Sequence, residues 1–214
     1  SKYNKKELEN FGIKKISYCP NLIDCIVANK VKTKNPSIVF NGRIVQNKGC
    51  LELLDVVLGV AKKLNVQLDL FIIGRGKPGA SYLKKFGEKI NVLKESNINV
   101  HWKNGLSDSE LSNIYGQCWL YLSLAKHEGF GLPVCESIAQ GTPALYTFCG
   151  GQESVLDGIG GCDAGNLIST IVGLFNNKED LQKLHIMQYE QVKQYLIPNA
   201  DGLIKNVYSK FIID

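Results

Sequence analysis

The chain has 214 residues, of which 44% are hydrophobic and 21% carry a formal charge, and its mean hydropathy is −0.06. These values are typical of a soluble globular protein, and the length suits one α/β domain with additions. No apolar run approaches a membrane span, and the first six residues lack the apolar core of a signal peptide. We therefore predict a cytoplasmic protein and exclude integral membrane classes.

The net charge of +5 is modest, and the lysines are dispersed along the chain. Dispersed lysines favour solvated surfaces over a nucleic-acid partner. Attraction of the full protein to the inner face of an anionic membrane stays open. Only Arg43 and Arg75 are arginines, and each lies in a glycine-flanked turn after a predicted strand. This placement makes both arginines better phosphate ligands than any one lysine.

The seven cysteines form an odd set without a Cys-x-x-Cys pair, and several lie in apolar segments. Thiols in such segments behave as small hydrophobic groups. We therefore predict reduced cysteines and neither a disulfide framework nor a metal site.

The elements follow a regular order after a lead-in at residues 1–36, which contains a short helix at 5–11 and an extended piece at 15–19. Strands are predicted at residues 37–41, 66–73, 98–102, 118–125 and 143–147. Helices are predicted at 48–64, 82–93, 107–115, 133–140, 166–175 and 179–195, with a last one after Pro198. We assign residues 1–36 to a linker segment and residues 37–214 to one Rossmann-like domain with C-terminal helices.

Alternation of strands and helices through short loops predicts a doubly wound parallel sheet with helices on both faces. Ligands of such sheets bind beyond the carboxyl ends of the strands. Glycines and charged residues follow each predicted strand, and we expect them to line one edge: Gly42, Arg43, Gly74, Gly76, Lys103, Glu128 and Gly150.

The turn after the fourth strand carries the strongest chemical signal. Glu128 and Glu136 are eight positions apart, and between them a glycine-rich turn opens a helix. Pro133 suits the first helical position, because its missing N–H costs nothing there. The free backbone N–H groups of Gly131, Leu132 and Val134 would attract phosphate. The flanking carboxylates would accept hydrogen bonds from sugar hydroxyls, so we interpret the turn as a site for a phosphorylated sugar.

A second glycine-rich stretch, Gly74-Arg75-Gly76-Lys77-Pro78-Gly79, formally matches the dinucleotide-binding fingerprint. It follows the second strand and not the first, Pro78 disturbs the expected helix start, and the next strand ends in Lys103 and not in an acid. We therefore reject NAD binding and interpret Gly74 and Gly76 as a tight turn that borders a nucleotide.

Taken in order, these motifs resemble the C-terminal half of the retaining glycosyltransferases of family four, which have the two-domain GT-B fold. The matching motifs are Pro20-Asn21-x-x-Asp24, Gly42-Arg43-x-x-x-x-Lys48-Gly49, Gly74-x-Gly76, Glu128-Gly129-Phe130-Gly131-Leu132-Pro133-x-x-Glu136, Gly141-Thr142-Pro143 and Gly150-Gly151 followed by Glu153. Leu22 departs from the pattern, since glycine is usual after Pro-Asn.

The resemblance implies roles for individual residues. Arg43 and Lys48 would stabilise the departing diphosphate, and Glu128 would orient the donor sugar, so these three are the candidate catalytic residues. Glu136 would bind the ribose diol. The remaining candidate donor-binding residues are Gly42, Gly74, Gly76, Lys103, Gly129, Phe130, Gly131 and Leu132.

The chain contains no Asp-x-Asp sequence, and we expect the two cations and the helix start to replace a metal ion. No cofactor is implied, because the nucleotide sugar is a substrate.

The resemblance implies that the full enzyme transfers a sugar from a nucleoside diphosphate to an acceptor hydroxyl with retention. The acceptor, a glycan or glycolipid, would be bound mainly by an N-terminal domain, and the present chain has only a short lead-in before its first strand. We expect these 214 residues to bind nucleotide but to transfer little sugar alone. Two alternatives stay open: a nucleotide-sugar epimerase of the same architecture, and a non-catalytic nucleotide-binding interaction domain.

Overall fold

The protein is built around a parallel sheet with the strand order β3-β2-β1-β4-β5 in the described residues. A computed structural model describes residues 1–24, 31–77, 79–199 and 201–202. The strands are β1 (Ser37–Asn41), β2 (Leu68–Ile73), β3 (Ile98–Lys103), β4 (Leu120–Ser123) and β5 (Ala144–Tyr146). Val39 of β1 pairs with Phe71 on one side and with Tyr121 on the other. The strand order reverses between β1 and β4, which is where ligands bind in this class of sheet.

Eight α-helices cover the described part of the chain. They are α1 (Lys2–Asn10), α2 (Cys50–Leu64), α3 (Ser81–Lys94), α4 (Asp108–Gln117), α5 (Leu132–Ala139), α6 (Gly151–Leu156), α7 (Leu167–Asn176) and α8 (Lys178–Val192). The predicted cap of α4 is confirmed: the Ser107 hydroxyl accepts from the Glu110 N–H, and the Glu110 carboxylate accepts from the Ser107 N–H. Such a reciprocal pair satisfies two N–H groups that a helix start leaves free.

Two hydrophobic clusters, one on each face of the sheet, hold the helices in place. Ile38 and Phe40 of β1 lie in the cluster that also contains buried residues of α2, α3 and α7. Val39, between them, lies in the second cluster, with residues of α4, α5 and α8. This alternation follows from the two-residue period of a strand. Each fully buried aliphatic side chain contributes about 1.5–3 kcal/mol of transfer free energy.

Hydrogen bonds and helix packing attach the lead-in to the helical layer. The N–H of Ile23 donates to the Tyr195 carbonyl at 2.9 Å, and the N–H of Ile197 donates to the Ile23 carbonyl at 3.0 Å. Helix α1 packs against α6. Residues 15–19, which are predicted to be extended, belong to no helix and pair with no strand of the sheet.

Residues 203–214, where the sequence predicts most of the last helix, lie outside the described residues. In the part of the chain that the structure describes, no helix is long and apolar enough to cross a membrane.

Candidate functional site

The loops after β1 and β4 pack against each other without intervening side chains. Gly49 has a positive φ of 62°, and a Cβ atom there would collide with the Leu124 carbonyl. The Lys126 N–H donates to the Asn47 carbonyl at 2.8 Å. Lys48, between Asn47 and Gly49, is therefore placed beside the end of β4.

The turn after β2 lies equally close to the turn after β1. Gly74 has φ 145°, and a Cβ atom there would collide with the Gly42 carbonyl. A Cβ atom on Gly76 would approach the Ile44 carbonyl to 3.0 Å. Only glycine allows this approach of two backbones. The Gly74 N–H donates to the Lys103 carbonyl at 2.9 Å, so the end of β3 joins the same edge.

A largely buried ion pair joins two of the predicted catalytic residues. The Lys48 Nζ lies 2.5 Å from the Glu128 Oε2, and about a fifth of each side chain is exposed, 21% and 19%. The other carboxylate oxygen, Oε1, accepts from the Gly129 N–H at 3.1 Å. Both groups are charged and partly desolvated, so they hold each other in a fixed geometry.

The loop after β5 supports the Glu128 loop from behind. The Glu128 N–H donates to the Cys149 carbonyl at 3.3 Å, and the Gly151 N–H donates to the Glu128 carbonyl at 2.7 Å. A Cβ atom on Gly151 would collide with the Gly129 backbone. The Gly150-Gly151 pair thus lets these two loops form a bridge of backbone hydrogen bonds.

Helix α5 begins immediately after this loop. Gly131 precedes the helix with φ 86°, Leu132 is its first residue and Pro133 its second. The expectation that Pro133 is the first residue is therefore wrong by one position, because the left-handed backbone of Gly131 lets Leu132 adopt helical angles. The N–H groups of Gly131, Leu132 and Val134 have no hydrogen-bond partner among the described residues. Such a helix start binds anions.

Arg43 presents an unengaged guanidinium on the loop after β1. Its side chain is exposed and forms no ion pair or hydrogen bond with the described residues, whereas its carbonyl accepts from the Val45 N–H at 3.0 Å. Lys103 is also exposed. The cation of Lys48 is already paired, so Arg43 is the cation of this loop that remains free for a ligand.

Glu136 lies one turn further along α5 and faces a separate recess of about 260 Å³ between α4 and α5. The recess is lined by Leu22, Asp24, Asp108, Leu111, Ser112, Tyr115, Glu136 and Gln140. Burial raises the pKa of Glu136, and a hydrogen bond from the Tyr115 hydroxyl opposes this rise. Among the described residues, three carboxylates and no lysine or arginine line the recess, so it suits neutral hydroxyl groups and not phosphate.

The structure thus brings most of the predicted residues to one edge and places Glu136 and Phe130 apart from them. Lys48, Glu128, Gly129 and the start of α5 share one edge, next to the turns that carry Gly42, Arg43, Gly74, Gly76 and Lys103. Phe130 lies elsewhere, since its ring is buried and packs against Tyr195 at 5.3 Å. Only the backbone of Phe130 is placed to meet a ligand.

Sequence reasoning missed the contribution of α1 to this edge. The Tyr3 ring covers Gly150, where a Cβ atom would lie 2.5 Å from it, and packs edge-on against His127 at 5.8 Å. The Asn4 amide lies 3.1 Å from the Cβ position of Gly129. No motif includes Tyr3 or Asn4, and their spacing is that of any polar helix. Tyr115 and Asn41, behind Glu136, were also missed, because no motif includes them.

Comparison of the sequence with known proteins identifies the family of the chain. Residues 26–161 match the family of Glycosyl transferases group 1. The MMP alpha-(1->4)-mannosyltransferase of Mycolicibacterium hassiacum is 26% identical over 162 residues, which cover 72% of this chain and 37% of the relative.

Solved structures with the GT-B fold superpose on nearly the whole chain. TarM of S. aureus matches with a TM-score of 0.80 and 17% identity, over 100% of this chain and 42% of that one. The pneumococcal O-GlcNAc transferase GtfA, solved with UDP and GlcNAc, matches with a TM-score of 0.76 and 20% identity, over 98% and 44%. The chain spans less than half the length of these proteins. Since the family match covers more than half of its residues, the chain belongs to the group 1 glycosyl transferases.

Proposed function

We propose that this chain is the donor-binding part of a retaining, metal-independent glycosyltransferase that takes its sugar from a nucleoside diphosphate. One observation carries the proposal. The ion pair of Lys48 and Glu128 lies beside the unpartnered N–H groups at the start of α5. Cation and N–H groups fit a diphosphate, and the carboxylate fits the hydroxyls of a sugar attached to it.

The two chemically different regions suit the parts of a nucleotide sugar. We place the diphosphate over the start of α5, between Arg43 and Lys48, and the transferred sugar at Glu128. The ribose enters the acidic recess, where Glu136 accepts hydrogen bonds from its diol. Glu136 is the fifth residue of α5, about 6 Å along the axis from the first at 1.5 Å per residue. A ribose and the phosphates attached to it are separated by a similar distance.

The proposed chemistry follows from charge. Negative charge develops on the diphosphate as the glycosidic bond breaks, and Arg43, Lys48 and the α5 N–H groups stabilise it. Positive charge develops on the sugar ring, which Glu128 orients. The acceptor hydroxyl attacks from the face that the diphosphate leaves, and a phosphate oxygen takes its proton. This scheme needs neither a protein base nor a metal ion.

In this proposal, the acceptor is bound outside these 214 residues. We propose that a glycan or glycolipid acceptor is bound by an N-terminal GT-B domain of a longer protein. That protein would act in the cytoplasm, at or near the inner face of a membrane. The 214 residues alone would then bind nucleotide and transfer little sugar. UDP in the pneumococcal neighbour supports a nucleoside diphosphate as the class of donor.

Calorimetric titration of the chain with UDP, GDP and ADP tests the proposal. We expect one of these nucleotides to bind, and we expect Arg43→Ala and Glu136→Ala each to weaken its binding about tenfold. Lys62→Ala, an exposed lysine on α2, is the matched control and should change nothing. Absence of binding by all three nucleotides, or equal affinities of the two variants and the control, would overturn the proposal.

Product analysis by NMR separates transfer from epimerisation. Incubation of the full-length protein with a nucleotide sugar and no acceptor should leave the sugar configuration unchanged. Appearance of an epimeric nucleotide sugar would favour the epimerase alternative.

A further inference from the structure

A chain of hydrogen-bonded side chains ends on the carboxylate of Glu136. The Asn41 amide Nδ2 donates to the Tyr115 hydroxyl at 2.8 Å, and the Tyr115 hydroxyl donates to the Glu136 Oε2 at 3.2 Å. Tyr115 is only 1% exposed. A phenol buried to this extent usually has a partner for its hydroxyl, and here the partner belongs to the candidate site.

The backbone of β1 fixes the direction of this chain. Asn41 is the last residue of β1, at the point where the strand order reverses. The Tyr121 hydroxyl accepts from the Asn41 N–H at 3.3 Å and donates to the Asn41 carbonyl at 2.9 Å. Asn41 is therefore held on the strand, and its amide hydrogen occupies an acceptor position of the Tyr115 oxygen. The single proton of that oxygen is then available for Glu136.

We infer that Tyr115 is a positioning residue of the nucleotide site, which holds the Oε2 of Glu136 so that the carboxylate faces a ribose diol in the recess. This inference rests on the proposed function, because that proposal assigns the diol to Glu136. A bidentate contact with two hydroxyls requires a fixed carboxylate plane, and α5 alone leaves the side-chain torsions of Glu136 free. The hydrogen bond from Tyr115 removes that freedom.

The surroundings of Glu136 make this bond more important. Asp108 of α4 and Asp24 of the lead-in line the same recess, Cys135 precedes Glu136 on α5, and Tyr121 approaches from β4. Helix α8 also packs on α5, and its His185 contacts the carbonyl of Ile138 on α5. Burial and the charge of Asp108 both raise the pKa of Glu136, whereas the bond from Tyr115 lowers it. Tyr115 thus also helps to keep the carboxylate ionised.

A titration of the carboxyl group itself tests the bond without any nucleotide. The protein is labelled with ¹³C-glutamate, and the Glu136 carboxyl signal is identified by its loss in Glu136→Gln. We expect the pKa of Glu136 to rise in Tyr115→Phe. Tyr146→Phe is the matched control, because Tyr146 is also fully buried and its hydroxyl has no hydrogen-bond partner among the described residues. An unchanged pKa in Tyr115→Phe overturns the inference.

Affinity for the nucleotide that the wild-type chain binds tests the positioning role. We expect Tyr115→Phe to weaken this affinity about fivefold, the typical value for one hydrogen bond, and Tyr146→Phe to leave it unchanged. Asn41→Ala, which removes the donor to Tyr115 and leaves the phenol in place, should act in the same direction. It keeps the test valid if Tyr115→Phe unfolds.

The two proposals fail in different ways. If Glu136→Gln weakens binding and Tyr115→Phe and Asn41→Ala do not, the positioning role is wrong and the site assignment stands. If Glu136→Gln leaves the affinity unchanged, the assignment of the diol to Glu136 is wrong, and the inference that depends on it falls too.

Discussion

At the scale of single residues, the ion pair of Lys48 and Glu128 is the feature of the proposed donor site with the clearest consequence for ligand binding. Each charge neutralises the other at 2.5 Å while about four-fifths of each side chain is buried. Removing one member of such a pair leaves the other desolvated and unpaired. A diphosphate that approaches Lys48 therefore also meets the repulsion of Glu128, and the two residues should affect nucleotide binding in opposite directions.

Replacement of each member tests this opposition. We expect Lys48→Met to weaken the binding of the nucleoside diphosphate about 10-fold to 100-fold, the loss for a charge-assisted hydrogen bond. Glu128→Gln should strengthen the binding of the same sugar-free nucleotide about fivefold, because one negative charge near the phosphates is gone. Calorimetric titration measures both variants. Equal weakening by both changes would show that the pair acts only through folding.

At the scale of secondary-structure elements, the start of α5 depends on one glycine. Gly131 combines φ 86° with a Cβ position 2.7 Å from the Gln152 Cβ. A non-glycine residue in this conformation costs about 1–2 kcal/mol. The collision with Gln152 adds to this cost and would displace the first turn of α5, on which the free N–H groups lie.

Gly141 provides a matched comparison for Gly131, because its φ is 89° and nothing lies within 4 Å of its Cβ position. We expect Gly141→Ala to lower the free energy of unfolding by about 1–2 kcal/mol, through backbone strain alone. Gly131→Ala should lower it further and also weaken nucleotide binding. Urea denaturation and calorimetry measure the two effects, and equal losses of stability would contradict the proposed collision.

The sequence predicts elements well where local signals and pairing agree. The bounds of β1 and the cap of α4 are confirmed, and so is the parallel α/β sheet. The apolar pattern predicts a fourth strand over 118–125, whereas the strand spans Leu120–Ser123, because Cys118 and Ala125 are buried without joining the ladder. Burial and strand pairing leave the same apolar pattern in a sequence, so the pattern cannot separate them.

The candidate site was predictable in its motifs and not in its contacts. Glycines after strands predicted which loops meet, since the ends of parallel strands share an edge. The pairing of Lys48 with Glu128 joins residues 80 positions apart and depends on side-chain torsions. The bond from Tyr115 to Glu136 similarly depends on how α4 packs on α5. Neither leaves a periodic or compositional signal.

At the scale of the whole molecule, the recess makes stability depend on pH. Burial raises the pKa of Glu136 in the folded protein, so the unfolded chain holds the ionised form more readily. The protein therefore loses stability as the pH rises from the ordinary value of about 4.3 through the pKa of the folded state. The carboxylate that we propose as the ribose ligand is thus kept at the expense of stability.

Glu136→Gln should therefore raise the free energy of unfolding at pH 7 by about 1 kcal/mol, and this gain should vanish near pH 4. Glu110→Gln is the control with the opposite sign. Backbone and hydroxyl hydrogen bonds from Ser107 lower the pKa of Glu110, so its stabilising effect is present at pH 7 and is lost on acidification. Denaturation at several pH values measures both, and a destabilised Glu136→Gln at pH 7 would contradict the cost assigned to burial.

The mutual neutralisation of Lys48 and Glu128 also has a consequence for the crowded interior of a cell. Inorganic phosphate is abundant there, and a site built on unpaired cations alone would bind it readily. Inorganic phosphate gains little from Lys48, since it must detach the ammonium group from a carboxylate that it cannot satisfy. In the proposed site, a molecule that brings hydroxyls and phosphate together would satisfy both groups at once, so the ion pair would favour a nucleotide sugar over inorganic phosphate.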